Sequence, residues 1–224
     1  YDALPAALQA RLRALSVYPF PFFAQGAAAV WGLEMDEGGL AAAGEDLGRL
    51  ARANLLEVEA WFEDGTPATY RFQPALHQAV ARRVGDEERA GHLAGYAAYG
   101  AWLARQGYLD IHSDLALNRL VRLSLDALDA ATGSLAGTER LWHIRQLAWL
   151  KAAYGETGAA YELLEGAVAP APDPEQDPEE AKVQSGLRFE LARLCATRGD
   201  LDRALGLYQE SLQLDEQLGD KQGT

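Results

Sequence analysis

Between residues 5 and 22, PAALQARLRALSVYPFPF, apolar side chains fall at Leu8, Leu12 and Leu15. That spacing predicts an amphipathic helix, which Pro19 and Pro21 bring to a stop. FFAQGAAAVWG (22–32) and GGLAAAGEDLGRLARANL (38–55) predict two further helices, the second with Leu40, Leu47 and Leu50 turned inward. The period then changes. In LLEVEAWFEDGTPATYRF (55–72), Leu56, Val58, Ala60 and Phe62 alternate with Leu55, Glu57, Glu59 and Trp61. This period of two predicts a strand, Asp64-Gly65 a hairpin turn, and Tyr70 with Phe72 a second short strand. PALHQAVARRVG (74–85) returns to helical spacing.

Three helices, a hairpin and a helix are the order of a winged helix-turn-helix, expected over 1–85. From Asp86 onward the strand signal vanishes and Ala, Leu, Arg and Glu dominate. EERAGHLAGYAAYGAWLARQGY (87–108) and DLALNRLVRLSLDALDAA (114–131) predict adaptor helices, one each. APAPDPEQDPEE (169–180), with four prolines and many acids, predicts an exposed loop.

A repeat runs through the rest. Gly199 and Asp200 are followed by Ala204, Tyr208, Ser211 and Leu212, and preceded by Leu191, Ala192 and Cys195. This is the spacing of a tetratricopeptide (TPR) repeat: a small residue where helices touch, an aromatic in the next gap, Gly at the turn. The frame recurs with Leu147, Ala148, Gly155, Ala160, Leu164 and Ala167. The glycines lie 44 positions apart, against about 34 in a standard repeat, and the proline-rich loop accounts for the surplus. Repeats are expected at about 141–168 and 181–214 within a helical region 86–224; two units alone would be poorly capped, so either the adaptor helices complete the core or the chain continues beyond Thr224. The fold class expected is therefore mainly α: a winged helix-turn-helix with a small β-hairpin, then a TPR-like array.

Composition narrows the partners. The formal net charge of −13 disfavours a phosphate-binding surface. Residues 1–85 hold seven arginines against ten acids, so the winged helix itself is expected to repel duplex DNA. No apolar run approaches the roughly 20 residues of a membrane span. The lone Cys195 excludes an intramolecular disulfide and suits a reducing cytoplasm. Tyr1 opens the chain without a signal-type segment and is expected to be an internal boundary of a longer protein.

RLRALSVYPFPFFAQGAAAVWG, LGRLARANLLEVE and YRFQPALHQAVARRV together resemble the winged helix that follows the nucleotide-binding core in STAND-class (NB-ARC-like) signalling ATPases. Gln73-Pro74-Ala75-Leu76-His77 stands at the family's hairpin-to-helix junction. Gln73 replaces the histidine there, which puts that residue's nucleotide contact in question. The resemblance implies the regulatory and sensor segment of a bacterial-type switch protein. Its winged helix would dock on the nucleotide-binding domain of the parent chain, and its TPR array would take a protein or peptide ligand.

Catalytic chemistry is not expected. No Gly-Lys pair occurs, so the P-loop pattern G-x-x-x-x-G-K-[ST] is missing, and GSLAGTER (133–140) has glycines without lysine. The four histidines, His77, His92, His112 and His143, are too widely spaced to suggest a metal site, and no cofactor is expected. Cys195 reads as buried core. The candidate binding residues are Arg145, Trp149 and Arg193, which the repeat frame places on first helices lining a groove suited to an acidic or aromatic segment. The competing reading packs Trp149 against the adaptor helices. Two other functions fit the domain order: a DNA-binding regulator whose TPRs sense an inducer, and a TPR scaffold.

Overall fold

A computed structural model describes residues 1–18, 21–61, 67–110, 115–170 and 172–219. The chain is mainly helical, with one two-stranded antiparallel sheet. Among the described residues no helix is long and apolar enough to cross a membrane. Two compact units are present, one formed by residues 1–103 with 118–131, the other by 104–117 with 132–224.

In the first unit, α1 (Ala6–Ala14) runs into a 3₁₀ turn (Leu15–Val17), followed by α2 (Ala24–Val30) and α3 (Glu37–Arg52). Leu8, Leu12 and Leu15 are all buried, as their spacing predicts. The helix ends at Ala14, ahead of both prolines. Asp36 caps α3, its carboxylate accepting from the Gly39 N–H at 2.8 Å. Leu47 and Leu50 are fully buried, and Ala43 shares the inner face with a half-buried Leu40.

β1 (Leu56–Trp61) pairs with β2 (Pro67–Phe72), Leu56 opposite Phe72 and Val58 opposite Tyr70. The predicted Asp64-Gly65 turn, like Phe62, lies outside the described residues. The register shifts between Val58 and Ala60, so the alternation is interrupted by a bulge-like irregularity. Phe22 adds a bridge invisible to period analysis: its N–H and carbonyl each bond Tyr70 at 2.9 Å. Then come α4 (Pro74–Ala81) and α5 (Asp86–Asp110), the 25-residue helix that follows it.

The sequence boundary at 85/86 falls between α4 and α5, but this compact unit runs on to Leu103. The reason is packing. Tyr96 of α5 meets Tyr18 edge-on at 4.9 Å and donates to the Asp126 carboxylate. Two glycines bring α5 against neighbouring backbones. A methyl at Gly95 would lie 3.0 Å from the Ala29 carbonyl oxygen and the Val30 Cα. A methyl at Gly100 would overlap the Ala127 carbonyl and lie 2.9 Å from the Leu128 amide nitrogen.

The single helix expected over 114–131 is two, α6 (Leu115–Leu123) and α7 (Leu125–Ser134). They part at Ser124, whose carbonyl accepts from Ala127 and Leu128 and whose buried hydroxyl lies 3.3 Å from the Tyr99 hydroxyl.

Burial pushes the Tyr18, Tyr96 and Tyr99 phenols well above their ordinary value. An acid whose folded pKa is raised contributes stability below its unfolded pKa, about 10 for tyrosine, and loses it as pH climbs further. Alkaline titration is therefore expected to ionise these phenols together with unfolding. Tyrosinate absorbance and circular dichroism would move in one cooperative step; three phenols titrating near pH 10 in an intact fold would contradict this.

In the second unit, α8 (Gly137–Ala153) packs on α9 (Thr157–Ala167), and α10 (Pro178–Thr197) on α11 (Leu201–Gln217). The turns inside the two pairs are alike. Gly155 and Gly199 both have positive φ, +87° and +84°, which glycine adopts without steric cost. Each sits in the same hydrogen-bonded cap: Glu156 N–H to Lys151 carbonyl at 2.8 Å, and Asp200 N–H to Cys195 carbonyl at 3.0 Å.

A shared core joins Ile144, Ala148, Ala160, Leu164, Leu187, Leu191, Cys195, Ala204 and Leu207. Burial raises the Cys195 thiol, which disfavours its thiolate form. Between α9 and α10 the proline-rich segment is tied down by Arg188. This fully buried guanidinium donates to the Ala169 carbonyl at 2.5 Å, the Gln184 side chain at 2.8 Å and Glu210 at 3.0 Å.

Candidate functional site

On α8, Trp142, Arg145 and Trp149 stand at i, i+3 and i+7, on one side of the helix. The opposite side buries Ile144, Leu147 and Ala148, which fixes the orientation of the first. On α10, Gly186, Glu190 and Arg193 stand at i, i+4 and i+7. Gly186 lets α10 receive the end of Arg145: a methyl there would lie 2.6 Å from the guanidinium carbon.

The Arg145 guanidinium lies 5.3 Å from the Trp142 ring centre and 5.8 Å from that of Tyr108 on α5. Trp149 meets the same Tyr108 edge-on, ring centres 5.3 Å apart at 70°. Arg145 and Trp149 thus come together at Tyr108. The adaptor-packing reading of Trp149 and the groove reading describe one cluster, since α5 supplies a wall of it. Arg193 is exposed and held by Glu190, at 3.0 Å from Nε and 2.9 Å from Nη2.

Charge pairing separates the two arginines. Arg11, Arg13 and Arg188, the other described arginines that are buried or half-buried, each pair with an acid: Asp46, Glu88 and Glu210. Arg145 is half-buried, its Nε is fully buried without a hydrogen-bond partner, and no acid among the described residues pairs with it. A guanidinium withdrawn from water without a counter-ion carries an uncompensated desolvation cost. Two aromatic faces recover about 0.5–2 kcal/mol of that by cation–π attraction. Arg145 is therefore a placed cation with unused donors.

Sequence reasoning missed Tyr108, Trp142 and Gly186 as parts of this cluster. A signal existed in Trp142 and Arg145 at i, i+3, and in a glycine set in the interior of a helical pattern. Tyr108 carried none, because its approach to α8 joins positions about 40 apart in sequence.

Two other concavities among the described residues are less suited to a ligand. One of about 620 Å³ is lined by Pro170, Pro174, Arg188, Glu210 and Leu214, and its cation is already saturated. One of about 300 Å³ is lined by Tyr18, Arg71, Phe72 and His77. There Arg71 is bound to Glu57 at 3.0 Å and Glu59 at 3.6 Å, and His77 Nε2 lies 2.8 Å from the Ser16 carbonyl oxygen. His112 lies outside the described residues, and among those described no group of three or more His, Cys, Asp or Glu is placed to hold a metal. No protein-family model, curated protein or solved structure matches the chain.

Proposed function

We propose that this chain is the non-enzymatic regulatory and sensor portion of a STAND-class signalling ATPase. Its first unit contains a winged helix that relays the state of a nucleotide-binding domain, and its helix pairs form TPR-like repeats that bind a protein or peptide. The observation that carries the reading is the succession of elements. Three helices, a hairpin joined by the Phe22 bridge and a fourth helix precede two helix pairs whose turns repeat the same cap 44 positions apart. The charge arrangement supports docking on protein rather than DNA. On α3, Arg49 is engaged by Asp46 at 3.0 Å, and on β2 Arg71 sits between Glu57 and Glu59. Neither basic side chain is left for phosphate.

The test is ATP turnover by the complete gene product that carries this chain. Turnover is expected there and not from the 224 residues alone, and deletion of 1–85 is expected to change the basal rate severalfold. A gene product without a nucleotide-binding module would overturn the proposal. A salt-dependent gel shift with duplex DNA would transfer the chain to the class of transcriptional regulators.

A further inference from the structure

We propose that Arg145 is the anchor for a single carboxylate of a bound peptide, held between the Trp142 and Tyr108 rings. This deepens the peptide-binding reading above and rests on it. Three observations select the ligand chemistry. First, Arg145 differs from the other buried or half-buried arginines among those described in having no acid partner. Second, its surroundings are planar and apolar, which suits a planar group forked onto guanidinium with an aromatic or aliphatic residue beside it. Third, the charge available is about one. Arg193, two turns along α10 from Gly186, is neutralised by Glu190. One free cation matches a carboxylate and leaves a phosphate dianion under-compensated.

Glu190 also sharpens the selectivity. It is buried on the same side of α10 as Gly186 and is committed to Arg193. Its pairing with Arg193 makes that cation unavailable to a second acid. The preferred segment carries one carboxylate flanked by apolar residues rather than a run of acids, in a protein already at −13.

The carboxylate could come from an Asp or Glu side chain or from a chain terminus, and three probes separate these sources. They are acetyl-Phe-Asp-Phe-amide, acetyl-Phe-Ala-Phe with a free terminal carboxylate, and acetyl-Phe-Asn-Phe-amide, each titrated into the 224-residue protein with the Arg145 Nε–H resonance observed. At least one acid peptide is expected to shift that resonance and bind about tenfold tighter than the Asn peptide. Which acid does so names the source.

Arg145→Gln is expected to abolish the preference. Gly186→Ala, whose methyl displaces the guanidinium while favouring helix, is expected to abolish it without lowering the melting temperature. If Arg145→Gln fails to fold, Gly186→Ala alone decides. Equal binding of acid and Asn peptides, retention of the preference in either variant, or no binding by any probe would overturn the carboxylate anchor. Equal binding accompanied by shifts at Trp149 would do so while leaving the groove intact. The signalling-ATPase reading fails separately, on the turnover measurement.

Discussion

Gly100→Ala is expected to destabilise the first unit by about 3 kcal/mol or more, although alanine is the better helix former by up to about 1 kcal/mol. The new methyl would occupy the space of the Ala127 carbonyl and press on the Leu128 amide. Those are backbone atoms, so relief requires α5 and α7 to separate. Separation would open Tyr99 and Leu128, both fully buried, and pull the Tyr96 hydroxyl from Asp126. For a unit of this size the loss is about 12 °C or more in melting temperature, read by calorimetry or circular dichroism. Gly91→Ala on the same helix faces open space and is expected to raise stability by about 0.5–1 kcal/mol. If the two variants melt together, the close crossing at Gly100 is not a feature of the folded protein.

Arg188→Met is the counterpart in the second unit, with an expected cost of about 2–4 kcal/mol by chemical denaturation. Methionine fills part of the volume but leaves the Ala169 carbonyl without its donor and removes the stronger of two donors to the buried Gln184 side-chain oxygen, the other being the Ala169 N–H at 3.2 Å. Glu210 is 60% exposed and can return to water, so the deficit comes mainly from the neutral acceptors. Segment 168–177 is expected to become the first site of limited proteolysis. Arg105→Ala, which removes an exposed ion pair with Glu139 at 3.9 Å, is expected to cost less than about 0.5 kcal/mol. A variant at 188 as benign as the one at 105 would show that the buried guanidinium does not hold the segment.

Local information was enough for Leu8, Leu12, Leu15, Leu47 and Leu50, for the strand pair, and for the glycine turns. In each, the signal is written within about one turn or one strand of the residue concerned. It failed where parts of the chain distant in sequence meet. Gly95, Gly100 and Gly186 look like weak points in helices when read singly, and only the neighbour each one admits gives it meaning. The break at Ser124 was hidden for a related reason, since a serine interrupts a helix where its hydroxyl finds a buried partner, here the Tyr99 hydroxyl 25 residues earlier. The candidate site divides in the same way. Arg145 and Trp149 could be chosen from the repeat frame, but their difference from Arg193 depends on which acids fold next to which arginines.

The anchored segment between α9 and α10 has one more consequence. Stretching a connection from three residues, as at 154–156, to the ten of 168–177 raises its closure entropy by about 1 kcal/mol, since the cost grows only with the logarithm of length. The hydrogen bond from Arg188 to the Ala169 carbonyl offsets a penalty of that size and confines the extra chain at its first turn. Spacing along the sequence is thereby decoupled from spacing between the helix pairs. The segment can change length and composition beyond Ala169 with little effect on the core, leaving a surface where new recognition can evolve independently of the fold.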